Sequence, residues 1–108
     1  MPLFFESPAG QPYKGFWYPE IVVKDGEEKR YSSTPTEFWC AELQPGQTSK
    51  QFRDSIEGRI YTCIIASTNM SKLEGIKEGA QVDYDGARRR VVYATFDKAK
   101  RVWTIALT

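Results

Sequence analysis

Hydrophobic residues in this chain come in short runs separated by turn formers, and most runs alternate with the period of two that marks a strand. Residues 59–67, "RIYTCIIAS", make the clearest run: β-branched residues with apolar positions on both faces predict a central strand. Residues 36–46, "TEFWCAELQPG", predict a strand stopped by Pro45-Gly46. In it Trp39, Ala41 and Leu43 form a more continuous apolar face than Phe38, Cys40 and Glu42. Residues 81–107 predict a three-stranded meander with turns at Asp85-Gly86 and around Asp97-Lys98-Ala99-Lys100.

Between and before these runs the pattern is weaker. Residues 20–33 read as a hairpin, Ile21 to Lys24 pairing with Lys29 to Ser33 around Asp25-Gly26-Glu27-Glu28, and the charged second arm predicts an edge strand. In residues 46–58, "GQTSKQFRDSIEG", only Phe52 and Ile56 are apolar; their spacing allows one helical turn, and the segment reads as a long polar loop. Residues 68–81 predict a crossing segment whose Met70, Leu73 and Ile76 plug a barrel end. Residues 1–20 hold Pro2, Pro8, Pro12 and Pro19 with Gly10 and Gly15, which predicts an irregular arm rather than a regular element. Short strands with turns between them describe a small β-barrel or sandwich, and the division expected is an N-terminal arm, 1–20, and one such domain, 21–108, a β-barrel domain on the first of these readings. The arm carries Phe4, Phe5, Phe16, Trp17 and Tyr18, which either fold back over the barrel end or dock on a partner.

Composition narrows the function classes. With 108 residues, 41% hydrophobic and 14% aromatic, the chain suffices for one packed domain. Fifteen basic side chains stand against 14 acidic ones, a net charge of +1, so any basic surface is local. The first residues lack the charged start and long apolar stretch of a signal peptide, which predicts synthesis in the cytosol. Cys40 and Cys63 sit inside apolar segments and read as buried reduced thiols; a cross-strand disulfide requires neighbouring strands in matching register. Histidine is absent, which removes the usual general base and the commonest metal ligand. No glycine-rich phosphate loop, dinucleotide fingerprint or paired-acid motif appears, so neither an enzyme nor a cofactor is expected.

From Glu37 to Leu107 the order of elements is a strand led by "FWCAELQPG", a polar stretch, the central strand "RIYTCIIA", a crossing stretch ending in "IKEGAQVDYDG", and two hairpins closing on "RVWTIAL". This order resembles the head–tail joining proteins of tailed bacteriophages, also called head-completion, head-closure, adaptor or stopper proteins. Gly79, Val82, Tyr84, Asp85 and Gly86 fit the family's "x-G-D-x-V-x-Y-D-G" segment, with Val91 and Val92 on the strand that follows. Ala80 and Gln81 depart from it where an acidic residue is usual, and Arg89 stands in place of an aromatic.

The resemblance implies an all-β fold, a small SH3-like or related barrel, and a structural virion subunit. Such subunits form a ring beneath the portal that closes the DNA-filled head and offers the tail its attachment surface. Implied partners are a portal or adaptor ring, tail-completion proteins and sister subunits, with genomic DNA passing unread and no membrane involved. The protein would reside in the virion after assembly in the host cytoplasm, and it would be compatible with a monomer in solution. On this reading the aromatic arm docks a neighbouring ring, and Lys50, Gln51, Phe52 and Arg53 face the channel or a subunit interface. Arg88, Arg89 and Arg90 then supply inter-subunit or DNA-proximal charge. On a strand Arg88 and Arg90 share one face, while Arg89 shares the other with Val91 and Tyr93. The alternative class is a small nucleic-acid- or peptide-binding barrel, in which Arg88, Arg90, Lys98, Lys100 and Arg101 contact a phosphate backbone; the near-neutral charge opposes the nucleic-acid form.

Overall fold

A computed structural model describes residues 10–21 and 30–108. Its centre is a closed antiparallel barrel with strand order β1-β4-β5-β8-β7-β6, where β1 is Tyr13–Tyr18, β4 Thr36–Leu43, β5 Cys63–Ser67, β6 Gln81–Tyr84, β7 Ala87–Asp97 and β8 Val102–Leu107. Beside it lies a two-stranded ribbon, β2 (Glu20–Ile21) with β3 (Arg30–Tyr31). The small all-β barrel expected from the sequence is the fold observed. The ribbon pairs Ile21 with Arg30, at the base of the expected hairpin; the turn expected at 25–28 lies outside the described residues.

The first correction concerns the arm. Residues 13–18 form a barrel strand, pairing Gly15 with Phe38 of β4 on one side and with Tyr84 of β6 on the other. The barrel therefore begins before residue 21. Pro12 and Pro19 bracket this strand rather than interrupt it, so neither removes a ladder donor from its interior. Gly15 points inward, and the Phe38 ring occupies the space its missing side chain leaves: a Cβ there would lie 2.4 Å from Cζ of that ring. Just upstream, buried Gln11 clasps Thr68, its amide donating to Oγ1 at 2.7 Å and its carbonyl accepting from the backbone N–H at 2.9 Å.

The interior holds Trp17, Phe38, Cys40, Ile65, Val82, Tyr84, Val91, Ile105 and Leu107, with Leu73 and Ile76 of the crossing segment plugging one end. Met70, also expected in the plug, is 40% exposed. The inward face of β4 is Phe38 and Cys40, opposite to the face expected. Glu42 shares that phase without cost because it emerges at the barrel end, exposed, where it accepts the Tyr84 hydroxyl at 2.9 Å. The other face is apolar because it is partly covered: Lys14 lies over the Trp39 ring, and Leu43 packs beneath a helix.

That helix, α1 (Lys50–Ile56), is the second correction, since the segment was expected to be loop. A 3-10 turn at Pro45–Gln47 leads into it, and the Ser49 hydroxyl caps it by accepting the Phe52 N–H at 3.1 Å. Phe52 and Ile56 then bury against Ile64 of β5 and Ala106 of β8, with Leu43, Val92 and Tyr93 at the margin. The barrel thus has a second, outer apolar layer. β5 is also shorter than expected, because 59–62 connect α1 to it outside the ladder.

The strands and turns of the meander lie where expected, with one departure on β7. Asp85 (φ 53°) and Gly86 (φ 75°) are both left-handed, as a two-residue type I′ turn requires. A β-bulge between Val91 and Tyr93 interrupts the alternation of β7, so Val91 enters the barrel while Tyr93 joins the outer layer against Phe52. The shared face expected for Arg89, Val91 and Tyr93 ends at that bulge.

Candidate interaction surface

The three arginines follow directly from the hairpin turn. A two-residue turn at Asp85-Gly86 places Arg88 opposite Asp83 and Arg89 opposite Val82. Arg88 forms an ion pair with Asp83, donates to Gln81 Oε1 at 2.9 Å, and lies over the Tyr18 ring, 4.2 Å from its centroid. The Tyr18 hydroxyl donates to the same carboxylate at 2.9 Å. The hydrogen bond from Arg88, helped by that from Tyr18, holds the Asp83 carboxyl below its usual range. Strands β1, β6 and β7 thereby share one charge-assisted cluster on their outer face.

Arg89 is half-buried and serves the backbone: Nε donates to the Tyr84 carbonyl at 3.0 Å and Nη1 to the Thr108 carbonyl at 3.2 Å. Its guanidinium also lies 5.9 Å from the centroid of the Tyr84 ring. Arg90 is exposed and forms no ion pair among the described residues. The run thus divides into one paired, one structural and one open cation. A surface groove of about 450 Å³ runs past all three, between Tyr31 and Thr108. It adjoins a cleft of about 380 Å³ between Trp17, Tyr18 and Tyr31 on one bank and Gly79 and Ala80 on the other.

The other expected site residues are separated by the fold. Phe4 and Phe5 lie outside the described residues. Trp17 is a core residue, 8% exposed, rather than a docking anchor, because strand alternation turns it inward while Phe16 and Tyr18 stay half-buried outside. Trp17 Nε1 is a buried donor with no acceptor among the described residues. Of the group on α1, Phe52 is buried beneath the helix, and Arg53 donates through Nη1 to the Thr48 and Pro45 carbonyls. Only Lys50 and Gln51 are exposed, so these four do not form one channel-facing loop.

Tyr31, Gln81 and Asp83 were not predicted as site residues, and Tyr18 was predicted as an anchor of the arm, not as a partner of Arg88. For Asp83 and Gln81 the signal was present, since the register fixed by Asp85-Gly86 sets both beside Arg88. For Tyr18 and Tyr31 it was not, because their placement depends on barrel closure.

Cys40 and Cys63 are free thiols on adjacent strands. Ala41 pairs with Ala66, which sets Cys40 opposite Ser67 and out of register with Cys63. Burial, reinforced by Cys63 and Glu42, pushes the Cys40 thiol up to about 12. Burial likewise raises Tyr84, whose hydroxyl is engaged with Glu42. These groups are held protonated, which disfavours their use as nucleophile or base. Among the described residues no cluster of three or more His, Cys, Asp or Glu side chains comes together. What the surface offers is one open guanidinium, Arg90, beside the half-buried rings of Tyr18 and Tyr31. Compared with models of known protein families, with curated proteins and with solved structures, the chain gives no match.

Proposed function

We propose that the protein is a structural subunit of a bacteriophage head–tail connector, one copy of a ring that lies beneath the portal, closes the filled head and presents a surface to the tail. The observation that carries this reading is the segment from Gly79 to Gly86. Gly79 (φ 90°) and Gly86 (φ 75°) take left-handed backbone, Val82 and Tyr84 fill the barrel, and Asp85 makes the turn. The five positions that fit the family's segment, Gly79, Val82, Tyr84, Asp85 and Gly86, thus each serve a turn or the interior.

Further support comes from how charge is spent. Arg88 is neutralised by Asp83 and Arg89 is committed to backbone carbonyls, so the hairpin suits fixed protein contacts better than gripping a polyanion. A subunit lining a DNA passage benefits from weak, sequence-independent attraction, and a net charge of +1 suits that. Its partners would be a portal or adaptor ring, sister subunits and tail-completion proteins.

The test is deletion of the gene from its phage followed by imaging of the particles. Full-length tails beside unattached or DNA-leaking heads are expected; normal virions would sink the reading. Purified protein mixed with portal rings should form a stacked complex.

A further inference from the structure

Among the large apolar side chains of the described residues, Ile60 is the most exposed, at 88%. It does not sit on a slack loop. Next to it Arg59 is fixed by its ion pair with Glu78 and by donation from Nη1 to the Val92 carbonyl at 2.8 Å. On its other side Tyr61 packs against the layer beneath α1, and the Thr62 N–H donates to the Leu107 carbonyl at 2.7 Å. A pinned segment thus holds one aliphatic side chain out in water. Asp54 and Glu57 line the hollow beside this segment. The cations there, Arg53 and Arg59, are turned to backbone carbonyls and to Glu78. Asp54 and Glu57 have no ion pair among the described residues.

The complementary surface lies at the other end of the same strands. Met70, Phe96 and Trp103 line a largely apolar groove of about 380 Å³. Its walls are fixed: the two rings pack at 5.4 Å, and the Trp103 indole N–H donates to the Met70 carbonyl at 3.4 Å. Directly beyond Phe96 the β7–β8 turn presents Lys98, Lys100 and Arg101, all exposed and none in an ion pair among the described residues. Asp97, the acid of that turn, accepts the N–H groups of Ala99 and Lys100 at 2.9 and 3.1 Å. Ser71 and Glu74 also line the groove, which sets one acid against the three cations of the turn.

A knob, the protruding aliphatic side chain flanked by acids, and an apolar groove flanked mainly by bases are complementary in polarity and charge. They cannot meet within one copy. Strand β5 pairs Cys63 with Leu107 at the knob end and Ser67 with Trp103 at the groove end, which separates the two surfaces by more than about 13 Å. We propose that Ile60 of one copy seats in the Met70–Phe96–Trp103 groove of the next, with Asp54 and Glu57 facing Lys98, Lys100 and Arg101. Joining two different surfaces makes the contact heterologous, so copies add head to tail. The association is argued from these surfaces alone; its closure into a ring rests on the connector reading.

Sedimentation of the full chain tests it. The protein should self-associate with rising concentration, and less so at high salt, because the paired charges lie at the rim. Ile60→Glu and the double variant Lys98→Glu/Lys100→Glu should each weaken association by about 30-fold or more. All three positions are exposed, and an unchanged thermal melt verifies that each variant folds. An equal mixture of the two variants is decisive. One retains its groove and the other its knob, so the mixture should form 1:1 dimers and nothing larger. A wild-type chain that stays monomeric up to about 1 mM, variants that associate like wild type, or a mixture that fails to dimerise would each overturn the contact. Association of this kind with normal virions after gene deletion would remove the connector reading alone. A monomer that stacks on portal rings would remove the contact alone.

Discussion

Gly15 is the smallest residue in the barrel wall and one of the least replaceable. A methyl group there would reach within 2.4 Å of the Phe38 ring tip, and that ring is only 1% exposed, with nowhere to retreat. Alanine normally gains by restricting the unfolded chain, by about 0.4–1 kcal/mol. Overpacking in a closed interior outweighs this. Gly15→Ala is expected to destabilise the protein by about 1–3 kcal/mol, read as a lower urea midpoint at unchanged slope, with Phe38→Leu recovering part of the loss in the double variant. The three arginines make the complementary point about neighbours in sequence. Arg88 serves a carboxylate, Arg89 two carbonyls, and Arg90 neither. The assignment of Arg88 was legible from the turn. That of Arg89 was not, because the Thr108 carbonyl reaches it only through the pairing of β7 with β8.

At the scale of elements, α1 shows why a segment with two apolar residues can still be regular. A seven-residue helix has little stability of its own; here the Ser49 cap and the outer face of the sheet supply it. Phe52→Ala should cost about 3–5 kcal/mol and release the helix from β5 and β8, visible as lost amide protection at 50–56 while the barrel strands stay protected. Strands whose partners follow them directly were readable: the β6–β7–β8 meander and its turns lie where the pattern put them. Elements completed by distant partners were not. Strand β1 looked irregular because its glycine and flanking prolines make sense only once Phe38 and Tyr84 stand on either side. The inward face of β4 was misassigned because Glu42 interrupts it in sequence but not in space, emerging at the barrel mouth beside Tyr84. The groove and knob were invisible for the same reason, since they are juxtapositions of 54–60 and of 70–103 across the fold.

For the molecule as a whole, the enclosed thiols set a limit on alkaline stability. The Cys40 thiol ionises near its ordinary value of 9.0 when unfolded and at about 12 when folded. A raised folded value favours the native state fully below pH 9, and that contribution is lost as pH rises toward 12. Stability measured by urea unfolding should therefore decline across this window, more steeply in wild type than in Cys40→Ala, after allowance for that variant's lower baseline. In the native protein near neutral pH, the half-buried Cys63 should react with a thiol reagent before Cys40 does. Closure of the wall also constrains time. Strand β1, the earliest barrel strand to leave the ribosome, is held between residues 36–40 and 81–84, and β5 waits for β8 at 102–107. No partial chain can complete the wall: the first strand made can pair with residues 36–40 early, but its other edge stays open until residues 81–84 have been synthesised, a distant closure of the kind that slows folding.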